Sequence, residues 1–145
     1  MLLELIAALC TGLFTGAAIY VNLVEHPARV ETGTAAAVNQ WRPSYRRGTV
    51  MQASLAVTGF ISSVGAWLQG RGSPVLIAGL LIGFVVPFTL IVIFPTNRQL
   101  SDAGLDVGST NAAVLLGKWN RLHAIRSAAG LLAFVVLLLH LGTLL

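Results

Sequence analysis

The sequence predicts an all-α integral membrane protein, a four-helix bundle with up-down-up-down topology. Of its 145 residues, 56% are hydrophobic and only 10% are charged, with a mean hydropathy of +0.83. A soluble domain carries roughly 25% charged residues, so this composition is typical of a membrane protein. Four stretches of 19 to 26 residues contain no charge, at positions 5–24, 48–70, 72–97 and 127–145. Each is about the length that a helix needs to cross the hydrocarbon core, roughly 20 residues.

The first two helices are predicted over residues 3–29 and 43–69 of a single domain, 1–145. Small residues dominate the first helix, and Gly12 and Gly16 favour close helix packing. Pro27 is expected to kink or end this helix. A short polar loop is expected over residues 30–42, because Pro43 suits the first turn of a helix. A tight turn then leads into the third helix.

The third and fourth helices are predicted over residues 74–94 and 111–145. Pro87 is expected to kink the third helix, and Ser109 or Thr110 can cap the fourth. A helix of 35 residues is roughly 52 Å long at 1.5 Å per residue, whereas the hydrocarbon core is about 30 Å thick. The fourth helix is therefore expected to extend beyond the membrane on the side where the basic residues lie.

Basic residues mark one end of the bundle. Only Arg71 lies between the second and third helices, whereas the other eight Lys and Arg residues flank the first and third loops. The positive-inside rule places these two loops in the cytoplasm and both termini outside. We therefore expect the plasma (inner) membrane of a bacterium. The lipid bilayer accounts for the basic charge, so no nucleic-acid partner is predicted, and the oligomeric state is left open.

The polar side chains collect at the same basic end. On the fourth helix, Trp119, His123 and Arg126 share a face, since they are spaced by one or two turns. A pocket opening toward the cytosolic face is expected where these helix ends converge. The candidate substrate-binding or catalytic residues there are Asn22, Glu25, His26, Tyr45, Asn97, Arg98, Trp119, Asn120, His123 and Arg126.

Several interpretations of these residues remain open. Glu25, His26 and His123 offer three metal ligands, but neither Glu-x-x-His nor His-x-x-x-His spacing occurs, so no metal site or cofactor is predicted. A metal- or haem-binding protein stays an alternative. Glu25 and His26 would otherwise pair with Arg46, Arg98 or Arg126. Arg126 itself needs Glu25 or a bound anion, because an unpaired guanidinium at that depth is costly. The cations around His123 favour its neutral form, which suits a base.

Four segments resemble a known family. They are Asn-Leu-Val-Glu-His-Pro-Ala-Arg at 22–29, Tyr-Arg-Arg-Gly at 45–48, Phe-Pro-Thr-Asn-Arg-Gln-Leu at 94–100, and Trp-x-x-x-His-x-x-Arg at 119–126. In this order they resemble the small four-helix membrane proteins of domain-of-unknown-function family 1772, which includes the fungal anthrone oxygenases. The resemblance covers nearly the whole chain.

The resemblance implies a cofactor-independent oxygenase that oxidises a small hydrophobic aromatic or quinone-like substrate with O₂. It implies that Asn97, Arg98, Trp119, His123 and Arg126 line the active site. In such a reaction His123 would remove a proton, Arg126 and Asn97 would stabilise the anion, and Tyr45 and Trp119 would stack on the substrate. The alternative is a non-enzymatic membrane scaffold or binding protein, in which these aromatic residues mark the membrane interface.

Overall fold

The computed structural model describes residues 1–143, in which four long helices account for nearly all of the chain. They are α1 (Leu2–Glu31), α2 (Thr34–Leu68), α3 (Ser73–Ser101) and α4 (Thr110–Gly142), and each is long and apolar enough to cross a membrane. No strand occurs within these residues. The all-α, four-helix membrane fold predicted from the sequence is thus confirmed. Residues 144–145, at the predicted end of the fourth helix, lie outside the described part.

The helices pack in sequence order around the bundle. α1 contacts α2 and α4, and α3 contacts the same two neighbours, whereas the diagonal pairs hardly touch. Phe14, Ile82 and Leu137 are fully buried in the core between them. A Cβ atom on Gly130 would lie 2.9 Å from the Phe14 ring, so this glycine allows α1 and α4 to approach closely. The expected glycine contact on α1 holds for Gly12, which faces Phe134, but Gly16 has no neighbour.

α2 begins at Thr34 and not at Pro43, so the expected polar loop over residues 30–42 is wrong. Gly33, with φ of +95°, makes the sharp turn that separates α1 from α2. The extra turns bury Val38 and Trp41, which pack with Trp119 in a second apolar cluster. A proline inside a helix costs about 3 kcal/mol, and the burial of this apolar face offsets that cost.

Two wide turns accommodate the prolines that were expected to end helices. The backbone has π-helical geometry over Val21–Glu25 and Thr89–Ile93. The hydrogen bond that closes each π turn is donated by the residue before a proline. The His26 N–H donates to the Val21 carbonyl, and the Phe94 N–H donates to the Thr89 carbonyl. A proline has no N–H to donate to the carbonyl four residues earlier, and the proline ring clashes with that carbonyl. A wider turn relieves the clash. α1 therefore continues past Pro27 to Glu31, close to its predicted end at residue 29, and α3 continues to Ser101 instead of ending at Phe94.

The end of the bundle opposite the basic loops has a polar cluster of its own. The fully buried carboxylate of Glu4 contacts His140 Nε2 at 3.1 Å and Arg71 Nε at 3.5 Å. These contacts join α1, the turn between α2 and α3, and α4. His140, for which the sequence suggests no partner, thus pairs with Glu4, 136 residues earlier in the chain.

Candidate functional site

A cavity at the basic end is enclosed by α1, α2 and α4. The cavity has a volume of about 350 Å³, which includes the part that is open to the surroundings. The centre of a water molecule can occupy about 40 Å³ of this volume. Since one water needs roughly 10–15 Å³ by that measure, the cavity has room for a few waters. We call it the His123 cavity. It is lined by Val21, Arg29, Trp41, Ser44, Tyr45, Gly48, Thr49, Gln52, Trp119, His123 and Arg126.

Arg126 is a half-buried cation that contacts no carboxylate within residues 1–143. Its Nη2 donates to Gln52 Oε1 at 3.0 Å, and its Nη1 lies 3.4 Å from His123 Nδ1. Its guanidinium also lies 5.5 Å from the centre of the Phe14 ring. Both polar partners are neutral when the imidazole is neutral, so the positive charge remains available to an anion.

Glu25 is paired on α1 itself. Its Oε1 accepts hydrogen bonds from Arg29 Nη2, from Ser44 Oγ at 2.7 Å and from Gln40 Nε2 at 3.1 Å. The expected pairing of Glu25 with Arg46, Arg98 or Arg126 is therefore wrong. The signal in the sequence was the spacing of four residues between Glu25 and Arg29, which places the two side chains next to each other on a helix.

Aromatic rings form one wall of the His123 cavity. Trp41 stacks on Tyr45, with centroids 4.8 Å apart and planes inclined by 3°, and meets Trp119 edge-on at 5.7 Å. Trp119 in turn stacks on His123 at 4.8 Å. His26 packs against Trp119 at 5.6 Å, behind the cavity lining. Trp41 was not among the predicted site residues, because the segment 30–42 was expected to be a loop.

The contacts of His123 define which ring nitrogen carries a proton. A guanidinium offers only donors, so Nδ1 beside Arg126 is the acceptor, and in the neutral ring the proton is on Nε2. The side chain is only 2% exposed, and Nε2 has no hydrogen-bond partner in the described chain. The lone pair that can take a proton from a substrate therefore faces Arg126.

Other polar atoms on the lining residues are also unpaired. Among residues 1–143, Arg29 Nε, Trp41 Nε1, His123 Nε2 and Arg126 Nε are buried without a hydrogen-bond partner. All four are N–H donors when His123 has the tautomer described above. Buried donors normally find an acceptor, so the His123 cavity favours a ligand with acceptor oxygens or a negative charge.

Asn97 and Arg98 lie beside the cavity and not in its lining. With Tyr45, Phe94, Ser101 and Asp102 they line an open groove at the surface. Asn97 is 2% exposed, and neither end of its amide is hydrogen-bonded in the part of the chain described. Tyr45 lines both the groove and the His123 cavity.

Asn22 and Asn120 bind each other instead of facing the cavity. Asn22 Nδ2 donates to the Asn120 side-chain oxygen at 2.7 Å and to its carbonyl at 3.0 Å, and Ser127 Oγ donates to Asn22 Oδ1 at 2.5 Å. This network joins α1 to α4. Nor do three His, Cys, Asp or Glu side chains come together as a metal site anywhere in residues 1–143.

The structure thus brings four of the predicted residues together around one cavity: Tyr45, Trp119, His123 and Arg126. It places Asn97 and Arg98 in the neighbouring groove, and Asn22, Glu25, His26 and Asn120 in contacts between helices. The lining residues that were not predicted from the sequence are Arg29, Trp41, Ser44, Thr49 and Gln52, together with Val21 and Gly48.

The chain is similar to known proteins over most of its length. The family model described as Anthrone oxygenase matches residues 41–136, which include all four residues brought together at the cavity. The chain is 32% identical to the anthrone oxygenase tpcL of Aspergillus fumigatus, covering 89% of this chain and 87% of the relative. It is also 32% identical to an anthrone oxygenase of Claviceps purpurea, covering 84% and 79% respectively.

A third relative is the noranthrone monooxygenase of Aspergillus flavus, 28% identical, covering 86% of this chain and 66% of the relative. No solved structure matches the chain. The similarity extends over most of the chain and supports an oxygenase-like function. On the match of the family model and of these relatives, the chain belongs to the anthrone oxygenase family.

Proposed function

We propose that the protein is a membrane oxygenase that oxidises a flat, hydrophobic anthrone-like substrate to the quinone with O₂. The observation that carries the proposal is the pairing of His123 Nδ1 with the guanidinium of Arg126, which contacts no carboxylate in the described chain. A base and an anion-stabilising cation thus lie side by side against an aromatic wall. The membership of the anthrone oxygenase family supports the same reaction class.

In the first step the substrate displaces the resting contact of Arg126. The carbonyl oxygen of the substrate accepts a hydrogen bond from the guanidinium, which frees the lone pair on His123 Nδ1. That lone pair takes a proton from the CH₂ group of the central ring. The electron pair of the broken C–H bond moves onto the carbonyl oxygen, where Arg126 stabilises the phenolate-like anion.

In the second step the anion reacts with O₂. A C–O bond forms at the former CH₂ carbon, and the proton held by His123 passes to the outer oxygen. The O–O bond then breaks as the second C–H proton leaves, which yields C=O and one water. The carbon loses four electrons and O₂ gains four, so the electron-rich substrate is the only reductant. The proposal therefore includes no metal, haem or other cofactor.

The substrate needs more room than the resting cavity provides. A space that holds a few waters cannot accommodate three fused rings, whereas the groove on the other side of Tyr45 encloses about 800 Å³ including its open part. We propose that Tyr45 swings aside when the substrate arrives from the bilayer. The cavity and groove then merge, and the unpaired amide of Asn97 joins the site. In this proposal the basic end faces the cytosol.

The test is O₂ consumption by purified protein in lipid nanodiscs supplied with a simple anthrone. The wild type is expected to accelerate formation of the quinone above the spontaneous rate, with one O₂ consumed per quinone. His123→Ala is expected to lower the catalysed rate about 100-fold or more. His140→Gln, at the opposite end of α4, is the matched control and should retain activity. A wild type no faster than the buffer would refute the proposed function, and equal rates for His123→Ala would remove His123 from the mechanism.

A further inference from the structure

A second cavity lies between α2 and α3, and we propose that it holds the O₂ that reacts with the substrate anion. This inference rests on the proposed oxygenase function. The cavity encloses about 410 Å³ including its open part, of which the centre of a water molecule can occupy about 80 Å³. We call it the O₂ cavity. It is lined by Thr49, Gln52, Ala53, Ala56, Val85, Val86, Thr89, Leu90 and Arg126.

The chemistry of the lining favours a small apolar molecule. The side chains of Ala53, Ala56, Val85, Val86 and Leu90 are hydrocarbon. The hydroxyl of Thr89 donates to the Val85 carbonyl at 2.6 Å, so it offers no free donor to water. These apolar side chains favour an apolar guest, and the polar groups of Gln52 and Arg126 lie where this cavity meets the His123 cavity. O₂ is apolar and small enough for this space, whereas a three-ring substrate is not.

The position of the O₂ cavity connects the bilayer to the reacting groups. Leu90 is 63% exposed and Thr49 is also exposed, so the cavity opens at the lipid-facing surface. Thr49, Gln52 and Arg126 line this cavity and the His123 cavity alike. The hydrogen bond between Gln52 and Arg126 therefore forms the partition between them.

This arrangement delivers the two reactants from different sides. O₂ dissolves better in hydrocarbon than in water, so the bilayer supplies it directly to the mouth at Leu90. When the substrate oxygen engages Arg126, the guanidinium turns away from its resting partners and the partition at Gln52 opens. O₂ can then pass from this cavity to the substrate anion, whose charge Arg126 stabilises at the carbonyl oxygen.

The first experiment detects O₂ itself and needs no turnover. O₂ is paramagnetic, so dissolved O₂ shortens the relaxation times of methyl groups near the place where it binds. In nanodiscs under O₂ pressure, the methyl groups of Ala56 and Val85, which line the cavity, should relax faster than that of Ala133 in the packed core, although all three residues are equally buried. Equal enhancement at all three residues would overturn the proposal.

The second experiment fills the cavity. Ala53→Leu adds three carbon atoms to the lining, and Ala128→Leu, the same change on the exposed side of α4, is the matched control. At saturating anthrone, Ala53→Leu should raise the KM for O₂ about tenfold and leave kcat at saturating O₂ within about twofold. It should also abolish the extra relaxation at Ala56 and Val85. An unchanged KM for O₂ in Ala53→Leu would overturn the proposal. A wild type without oxygenase activity would instead overturn the proposed function, while the relaxation measurement still reports whether O₂ occupies the cavity.

Discussion

The imidazole of His123 stacks on the indole of Trp119, with ring centroids 4.8 Å apart and planes inclined by 11°. The two residues are one turn apart on α4, and Trp119 is itself held edge-on by Trp41. A ring stacked in this way cannot turn without losing the contact. The stacking therefore holds His123 Nδ1 toward Arg126, and the aromatic wall positions the base as well as shaping the cavity.

Ligand binding should be visible in the tryptophan fluorescence. The chain has three tryptophans, and Trp67 lies about 39 Å along α2 from Trp41 at 1.5 Å per residue. Titration with anthraquinone, which is flat and has no CH₂ to oxidise, should quench the wild-type fluorescence saturably. Trp67→Phe should keep this quenching, whereas Trp41→Phe and Trp119→Phe should each lose much of it. Quenching that disappears only in Trp67→Phe would place the ligand at the wrong end of the bundle.

Arg126 should be needed for its shape as well as its charge. Arg126→Met removes the cation beside His123 and is expected to lower kcat/KM for an anthrone about 100-fold or more. Arg126→Lys keeps a charge but not the planar fork that contacts Gln52 and His123 together, so it should recover only part of the loss. Arg121→Met, exposed on the same helix, is the control and should behave like the wild type. Normal kcat/KM in Arg126→Met would contradict the proposed anion stabilisation.

Substitution of Asn97 tests whether the Tyr45 side chain moves when substrate binds. If Tyr45 swings aside and the groove joins the cavity, Asn97→Ala should lower kcat/KM about tenfold, the effect of losing one hydrogen bond to a charged group. Gln99→Ala, two residues further on the exposed side of α3, should have no effect on the rate. Wild-type kinetics in Asn97→Ala would show that the substrate does not reach the groove.

Asn22 is expected to stabilise the fold and not to bind the substrate. Asn22→Leu breaks the hydrogen bonds to Asn120 and Ser127, and should lower the free energy of unfolding in detergent micelles by about 1–2 kcal/mol. Asn39→Leu, on an exposed position of α2, provides the comparison and should change it by less than about 0.5 kcal/mol. If Asn22→Leu leaves unfolding unchanged and impairs only the KM for the anthrone, Asn22 binds substrate as the sequence suggests, and the contact with Asn120 is not structural.

Much of the fold could be predicted because its signals are local. The absence of charge over four stretches locates the helices that cross the membrane, since hydrocarbon excludes charged side chains regardless of what packs nearby. The failures were at prolines. Pro43 and Pro95 lie within continuous helices, because the burial of Trp41 and a π turn compensate for the missing hydrogen bonds. Pro27, which was expected to kink or end the first helix, follows a π turn within α1.

By itself, the sequence determined the four helices, the basic end and the stripe on α4 that carries Trp119, His123 and Arg126. Helical periodicity places these three side chains on one face whatever surrounds them. Only the tertiary structure decided which groups meet across helices: Gln52 with Arg126, Trp41 with Trp119, and Asn97 behind Tyr45. The physical reason is that such pairs depend on how each helix is rotated and kinked against its neighbours. That rotation is set by packing over the whole bundle, and no local spacing in the sequence records it.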